Sequence, residues 1–381
     1  MQQVNVGLIG VSGYGAAHLE GWLNQVKAGR AKLAAAVVIN PEEVPDTLKQ
    51  LAELGCRVFP DSASMYRETG DVLDLISIPT GIGSHEPLTV EALKHGCNVL
   101  VEKPAAPNTD AIDRMIAAEK AAAPLFVAVG FQHIYSLEIQ AMKRLLLAGE
   151  LGKIERIGVI GLAARGDAYY QRNRWAGKLR DGAGTEVFDS PVNNAFAHYL
   201  NIALFFGGAE FARMADVTGC QARLYRARDI ESFDSCEFQL VTSAGIPIRG
   251  AFSHTVDQPT AQTIRVLGEK GMIEWDIEGS WRHYDAAGQL LAEYPMATPF
   301  GKLYADMVDR FNGLETTVCT LSMARAHTGC ITEFHRRFPI ETLESGRFYR
   351  RESDGALVVP EFETGFRRNF EEWTKRPLRS K

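Results

Sequence analysis

Apolar runs and polar breaks alternate regularly through the first 130 residues. "VNVGLIG" (4–10) is a continuous apolar run, and "AAHLEGWLNQVKAG" (16–29) sets Leu19, Trp22, Leu23 and Val26 at helical spacing before a stop at Gly29. Further strands are predicted over "KLAAAVVI" (32–39), "DVLDLISIP" (71–79), "NVLVEKP" (98–104) and "LFVAVGF" (125–131). Between them, "SHEPLTVEALKHG" (84–96) predicts a helix with Ser84 as cap, Pro87 in its first turn and Gly96 at its end. "NTDAIDRMIAAEKAA" (108–122) predicts another. Such alternation means parallel strands joined by crossover helices, and unbroken apolar strands fit a sheet covered on both faces.

The texture changes after residue 150. "KIERIGVIGLAARG" (153–166) reads as a strand, and "DSPVNNAFAHYLNIALFFGG" (189–208) as a helix with Ser190 as cap and Pro191 at its first position. From 213 to 295 come strand-like segments with turn signals at "SAGIP", "GEKG" and "DAAGQ", which predicts a mostly antiparallel sheet. Helical patterns return at 300–313 and 320–338. The division expected is an N-terminal α/β domain over 1–130 and an α+β domain with a large open sheet over 131–381, for substrate binding and oligomerisation.

Composition narrows the function classes. The chain has 381 residues and a formal net charge of -6, which argues against nucleic acid as a main partner. No run spans a bilayer, and the opening "MQQVNVGLIG" carries no secretory signal, so a cytoplasmic protein with no membrane partner is expected. The six cysteines form no CxxC pair and read as reduced core residues. The nine histidines show no ligand spacing, so no metal is expected.

Four stretches carry candidate chemistry. "GLIGVSGYGAAHL" (7–19) places Gly10, Gly13 and Gly15 between a strand and a helix, with Ser12 where GxGxxG has its middle glycine. In that position the motif is a dinucleotide-binding (Rossmann) fingerprint, with Gly10, Ser12, Gly13, Tyr14 and Gly15 as pyrophosphate-loop candidates. The acid expected at the end of the second strand is absent. "AVVINPEE" offers Val38 and Ile39 there and Asn40 as the nearest polar candidate, and Glu42 and Glu43 would repel a 2′-phosphate. NAD is the expected cofactor and NADP the alternative. His18 reads as helix surface or packing. Glu102 and Lys103 stand at the carboxyl end of a strand, where open parallel sheets bind ligands; a solvated surface lysine paired with Glu102 is the bland alternative. In "YYQRNRWAG" (169–177), Arg172, Asn173 and Trp175 are candidate sugar contacts, with an interface role as the alternative. Asn194, His198 and Asn201 would share one helix face, as a substrate stripe or a hydrogen-bonded core stripe. His254 is a lone strand histidine and reads as structural.

The glycine loop, "DLISIPTGIGSHEPLTVEALKHGCNVLVEKPAAPN" and "GFQHIYS…LLLAGELGKI" together resemble the glucose–fructose oxidoreductase and inositol dehydrogenase (Gfo/Idh/MocA) family over essentially the whole chain. The resemblance implies a Rossmann domain followed by an α/β domain with a large open sheet, and nicotinamide-dependent oxidation or reduction of a sugar or polyol. It implies that Lys103 is the catalytic lysine. It places Pro79, Thr80 and His85 on the nicotinamide side and makes Gln132 a substrate contact. It matches Asp189 to the Asp of a D-x-x-x-H element, but Asn193 stands at the His position, and an Asn is no general base. His198 is then the substitute base. The departure keeps two rivals open. One is an NAD-retaining glycosidase or lyase that oxidises its sugar transiently; the other is a non-catalytic dinucleotide or sugar sensor. A sheet face bare of the domain's own helices is expected to make a homodimer or homotetramer.

Overall fold

Six short strands build the first sheet: β1 (Val4–Ile9), β2 (Ala31–Val37), β3 (Arg57–Phe59), β4 (Leu75–Ile78), β5 (Asn98–Val101) and β6 (Val127–Val129); β3, with Arg57 and Val58 exposed, was not expected from the sequence. They run parallel in the order β3-β2-β1-β4-β5-β6. Every residue of β4, β5 and β6 is buried, as a sheet covered on both faces requires. The helices are α1 (Gly15–Lys27), α2 (Pro45–Glu53), α3 (Ser62–Thr69), α4 (Ile82–Lys94) and α5 (Thr109–Ala121). Asn108 caps α5 by accepting the Ala111 N–H at 2.9 Å. α4 begins earlier than its sequence suggests. Gly81 is its N-cap, and Ser84, the expected cap, lies inside it with its hydroxyl on Thr80 Oγ1 and the Gly81 carbonyl, both at 2.8 Å. Strand order reverses between β1 and β4, which opens a crevice at their carboxyl ends.

The computed structural model describes residues 1–276 and 279–375. The chain divides into two compact units, Met1–Ser136 with Pro299–Arg325, and Leu137–Thr298 with the residues from Ala326 on. The returning segment brings helix Lys302–Phe311 onto α1, where Tyr304 lies over Gly21, which has no side chain to hold it off.

The second unit is built on nine strands. They are β7 (Ile154–Leu162), β8 (Val217–Arg226), β9 (Ser235–Thr242), β10 (Pro247–Ser253), β11 (Thr260–Gly268), β12 (Gly271–Asp276), β13 (Ser280–Asp285), β14 (Leu290–Pro295) and β15 (Ile340–Thr342). Their order is β14-β13-β12-β11-β7-β10-β9-β8-β15. Only the β7–β10 and β8–β15 pairs are parallel. Helix Ala197–Gly207 packs on one face, against β7 and β11. Just before it, Phe196 stacks on Phe252 at 5.1 Å over Gly161.

The other face is not bare, which corrects the expectation. Helix Pro360–Thr374 lies on β7 and β10 and sinks Phe362, Phe366 and Phe370 into a cluster with Ile160, Leu162 and Ala251. Those phenylalanines recur every four residues, one stripe of a helix. Beside the helix the face is polar. Arg265 bonds Glu274 at 2.6 Å, Arg282 bonds Glu274 at 3.1 Å and Glu293 at 2.8 Å, and Glu371 of the helix joins Arg265 at 2.7 Å.

A second correction concerns residues 190–196. They form successive turns, and the helix begins only at Ala197. The backbone N–H groups of Asn193 and Asn194 both reach the Ser190 carbonyl, at 3.1 and 3.0 Å. Asn194 therefore stands off the helix that carries His198 and Asn201, and the three do not share one helical stripe.

Candidate active site

The first unit holds the dinucleotide candidates. Gly10 has φ +96° and Gly13 φ +57°, left-handed values that a side chain resists. A Cβ at Gly15 would stand 2.6 Å from the Gly10 carbonyl oxygen, so only glycine lets the loop fold this tightly. The Gly15 N–H closes the turn on the Ser12 carbonyl at 2.9 Å. α1 then starts with no capping side chain and no acid in its first turn, so its positive end is uncompensated. Pro79 and Thr80, at the end of β4, lie against this loop: a Cβ on Gly15 or on Gly10 would meet their side chains at 3.6 Å. A bare backbone cradle at the helix N-terminus fits a dinucleotide pyrophosphate. Asn40 is exposed, and its amide donates to Glu43 Oε1 at 3.1 Å. Val38 points inward and Ile39 outward, at 6% and 78% exposure, so Ile39 occupies the place of the missing acid.

The end of β5 is tied down by side chains. Glu102 is buried at 4% exposure, and its Oε2 accepts the Lys103 backbone N–H at 2.8 Å. Its Oε1 meets His18 Nε2 at 3.1 Å, while His18 Nδ1 meets Ser77 Oγ at 2.8 Å. His18 is therefore fully buried and bonded at both ring nitrogens, not a surface residue. Its signal was in the sequence, since His18 lies four residues before Trp22 and shares that buried face. Lys103 is half-buried at the strand end, and its bond to Pro104 is cis. His85 is buried with Nδ1 2.8 Å from the Pro104 carbonyl and Nε2 3.0 Å from the Thr80 carbonyl, so it ties the loop after β5 to the loop after β4. Burial holds its basicity below the ordinary histidine range despite those two acceptors. Gln132 Nε2 donates to the Tyr14 hydroxyl, and burial, then the Glu102 charge, pushes the Tyr14 phenol up to about 12.

The second unit gathers another group. Asp189 is buried; its Oδ2 accepts the Gly177 N–H at 2.7 Å and its Oδ1 the Asn194 amide at 2.9 Å, with Arg172 at 3.3 Å. Burial raises its carboxyl above the usual range, against the pull of Arg172 and these donors. The Arg172 guanidinium sits 3.8 Å over the Tyr169 ring and 5.3 Å from that of Trp175. Asn173 turns back on the chain, its Oδ1 taking the Trp175 N–H at 3.1 Å. Asn193 is buried, and its amide donates to the Val187 and Phe188 carbonyls at 3.2 and 3.1 Å. His198 sits half-buried in the first turn of helix Ala197–Gly207. His254 is buried with Nδ1 3.0 Å from the Tyr170 hydroxyl.

A glycine-looped parallel sheet in the order above, followed by a unit with a large mixed sheet, defines a two-domain dinucleotide-binding protein. Residues 4–131 match the family model for the oxidoreductase family with an NAD-binding Rossmann fold (Gfo/Idh/MocA). The likeness to that family rests on this N-terminal domain. Inositol 2-dehydrogenase 4 of Saccharopolyspora erythraea is 31% identical over 153 residues, which are 40% of this chain and 43% of that protein. The chain thus spans about two fifths of the length of the curated relatives it matches. The WlbA dehydrogenase of Bordetella pertussis, solved with NADH and UDP-GlcNAcA, superposes with a TM-score of 0.71 at 22% identity, covering 88% of this chain and 96% of that one. A super-repressor mutant of Gal80p from Saccharomyces cerevisiae superposes with a TM-score of 0.69 at 17% identity, covering 88% and 95%. At those identities the likeness is one of fold. No helix among the described residues is long and apolar enough to cross a membrane.

Proposed function

We propose that this protein is an NAD-dependent oxidoreductase acting on a CH–OH group of a sugar, polyol or sugar derivative. The observation that carries the reading is the backbone cradle of Gly10–Gly15 beside the braced end of β5, where Lys103 stands. When bound, NAD would supply the acceptor for the hydride leaving the substrate carbon. Lys103 takes the hydroxyl proton on Nζ as the carbonyl forms and returns it in the reverse direction. Gly10, Ser12, Gly13, Tyr14 and Gly15 would hold the pyrophosphate, Asn40 would be the polar side chain offered to the ribose, and Pro79, Thr80 and His85 would line the nicotinamide side. Arg172, Trp175, Asn173, Asn194 and Gln132 are the substrate contacts, Asp189 orients the sugar, Asn193 positions that segment through its brace of the Val187–Phe188 turn, and His198 is the second proton carrier to test.

A panel of polyols, sugars and sugar acids with NAD and NADP, followed by absorbance and by product mass, tests this reading. Lys103→Met keeps the stem and removes the base. It should still bind dinucleotide and lose on the order of 10²–10⁴-fold in turnover, a general base's usual share. Near-normal turnover of that variant would make Lys103 a bystander. One observation favours a second reading: Asn193 replaces the family histidine and spends its amide on backbone carbonyls. Product formed without net change in nicotinamide absorbance would assign the protein to transient-oxidation lyases or glycosidases. Self-association as a dimer or tetramer belongs to the same reading, with polar contacts beside helix Pro360–Thr374 in place of a bare apolar face. Sedimentation of micromolar protein tests it, and a monomeric mass refutes it.

A further inference from the structure

The second unit carries a cation and a buried donor that the reading above leaves unused. Arg165, just past β7, places its guanidinium 5.2 Å from the Tyr169 ring centroid. Arg172 lies over the same ring at 3.8 Å, so two like charges share one aromatic side chain. Arg172 is paired with Asp189. A third guanidinium, Arg228, lies 4.6 Å from the Tyr170 ring and is paired with Asp167 at 2.6 Å. Among the described residues Arg165 pairs with no carboxylate, and its Nε is buried without a hydrogen-bond partner. Of the nearby acids, Asp167 also takes Arg350, and Asp234 accepts the backbone N–H groups of Ala227 and Arg228 on Oδ2 at 2.9 and 2.8 Å, while its buried Oδ1 has no hydrogen-bond partner.

His254 completes the group. Its backbone carbonyl accepts the Arg165 N–H at 3.1 Å, which fixes the two residues side by side. Its side chain is 2% exposed, and Nε2 has no hydrogen-bond partner. Burial, then the charges of Arg165, Arg172 and Arg228, holds the ring neutral. Tyr170 stays a phenol, since burial raises it far above its ordinary value. A neutral ring can pair with this phenol in either tautomer; in the one where the phenol donates to Nδ1, the hydrogen sits on Nε2 as a buried donor without a partner, and that is the tautomer the subsite below requires.

We propose that Arg165 and His254 form a subsite for a carboxylate carried by the sugar substrate. One unpaired guanidinium plus one imidazole N–H matches the charge and the two oxygens of a monoanion; a phosphate dianion would need a second free cation. The inference rests on the oxidoreductase reading for the word substrate and narrows it to sugar acids.

The test is calorimetric titration of the full chain, with and without NADH, using D-glucuronate, D-glucose and glucose 6-phosphate as probes. Glucuronate should bind on the order of ten- to a hundredfold tighter than glucose, the reach of one charge-assisted pair. Arg165→Met should erase that difference and leave NADH affinity unchanged, and Arg165→Lys should restore part of it. Tyr170→Phe, which releases the tautomer, should weaken glucuronate binding without changing glucose binding. No acid preference, a preference that survives in Arg165→Met, or phosphate bound in place of carboxylate each overturns the subsite. The two readings fail separately. Turnover of neutral polyols alone would sink the subsite and keep the oxidoreductase. Arg165-dependent glucuronate binding with no chemistry on any sugar acid would keep the subsite and sink the enzyme.

Discussion

Replacing His18 by leucine tests whether the end of β5 is held by the contacts described. His18 is fully buried, with Ser77 Oγ at 2.8 Å on one ring nitrogen and Glu102 Oε1 at 3.1 Å on the other. Leucine fills much of the volume and bonds to neither. The Glu102 oxygen loses a bond worth roughly 1.5–3 kcal/mol, and the Ser77 hydroxyl is stranded at a cost of about 1–3 kcal/mol. The extra apolar burial offsets part of this, leaving roughly 3–4 kcal/mol. For a unit of this size each kcal/mol moves Tm by about 2–4 °C, so the first unit should melt roughly 6–16 °C earlier. Calorimetry with and without NADH reads it, and His18→Gln, which keeps one bond, should fall between. Because Glu102 Oε2 also holds the Lys103 N–H, kcat should drop more than KM changes. A melting loss under about 2 °C would show that the buried bonds are incidental and that packing alone places this strand end.

Other perturbations follow from single distances. Gly15→Ala puts a methyl 2.6 Å from the Gly10 carbonyl, so NADH binding in a fluorescence titration should fall at least tenfold in a folded protein; unchanged affinity would show that this loop is not the cradle. Ile39→Asp supplies the absent ribose acceptor at an exposed position and should tighten NAD roughly tenfold while weakening NADP. Val38→Asp should instead cost stability, because that side chain is buried. Lys143 is fully buried, with Nζ donating to the Phe205 carbonyl at 2.6 Å and to that of Gly208, and burial pulls it down to about 8. Between there and an unfolded value near 10.4 the unfolded chain holds a proton that the folded chain has released, so this residue's contribution to stability rises with pH. The urea stability of wild type minus that of Lys143→Met should climb by up to roughly 3 kcal/mol over that window, and a flat difference would refute the shift.

Five strands of the first sheet were legible because parallel strands buried on both faces are mostly apolar, as β4 and β5 are apart from Ser77 and Asn98; β3, with Arg57 and Val58 exposed, gave no such run and was not predicted. The glycine loop was legible because its φ values and close approach leave few alternatives to glycine. The segment after Asp189 was not. Ser190-Pro191 has the chemistry of a helix start, but Asn193 sends its amide back to Val187 and Phe188, which stabilises turns through residue 196. The stripe of Phe362, Phe366 and Phe370 was present in the sequence, but which sheet face receives such a stripe is a tertiary fact. Residues 299–325 show a helical pattern and no mark of the unit they join, because an amphipathic helix does not name its partner.

The same turn explains what Asn193 does in place of a histidine. Phe188 has φ +44°, a left-handed value that costs a bulky residue about 1–3 kcal/mol and persists only when its surroundings hold it. The two Asn193 donors on the Val187 and Phe188 carbonyls, and the Phe188 ring stacked 4.6 Å from that of His335, supply that hold. A neutral imidazole has one N–H and would leave one of those carbonyls without its donor. Position 193 is thus built as a two-donor brace, and the next residue, Asn194, is bonded to the buried carboxylate of Asp189. Under the proposed chemistry, proton transfer then falls to Lys103 with His198 as the residue to test beside it. If Asn193→His leaves turnover unchanged and lowers stability, the brace is its role; a gain in turnover would show that the position still faces the reacting hydroxyl.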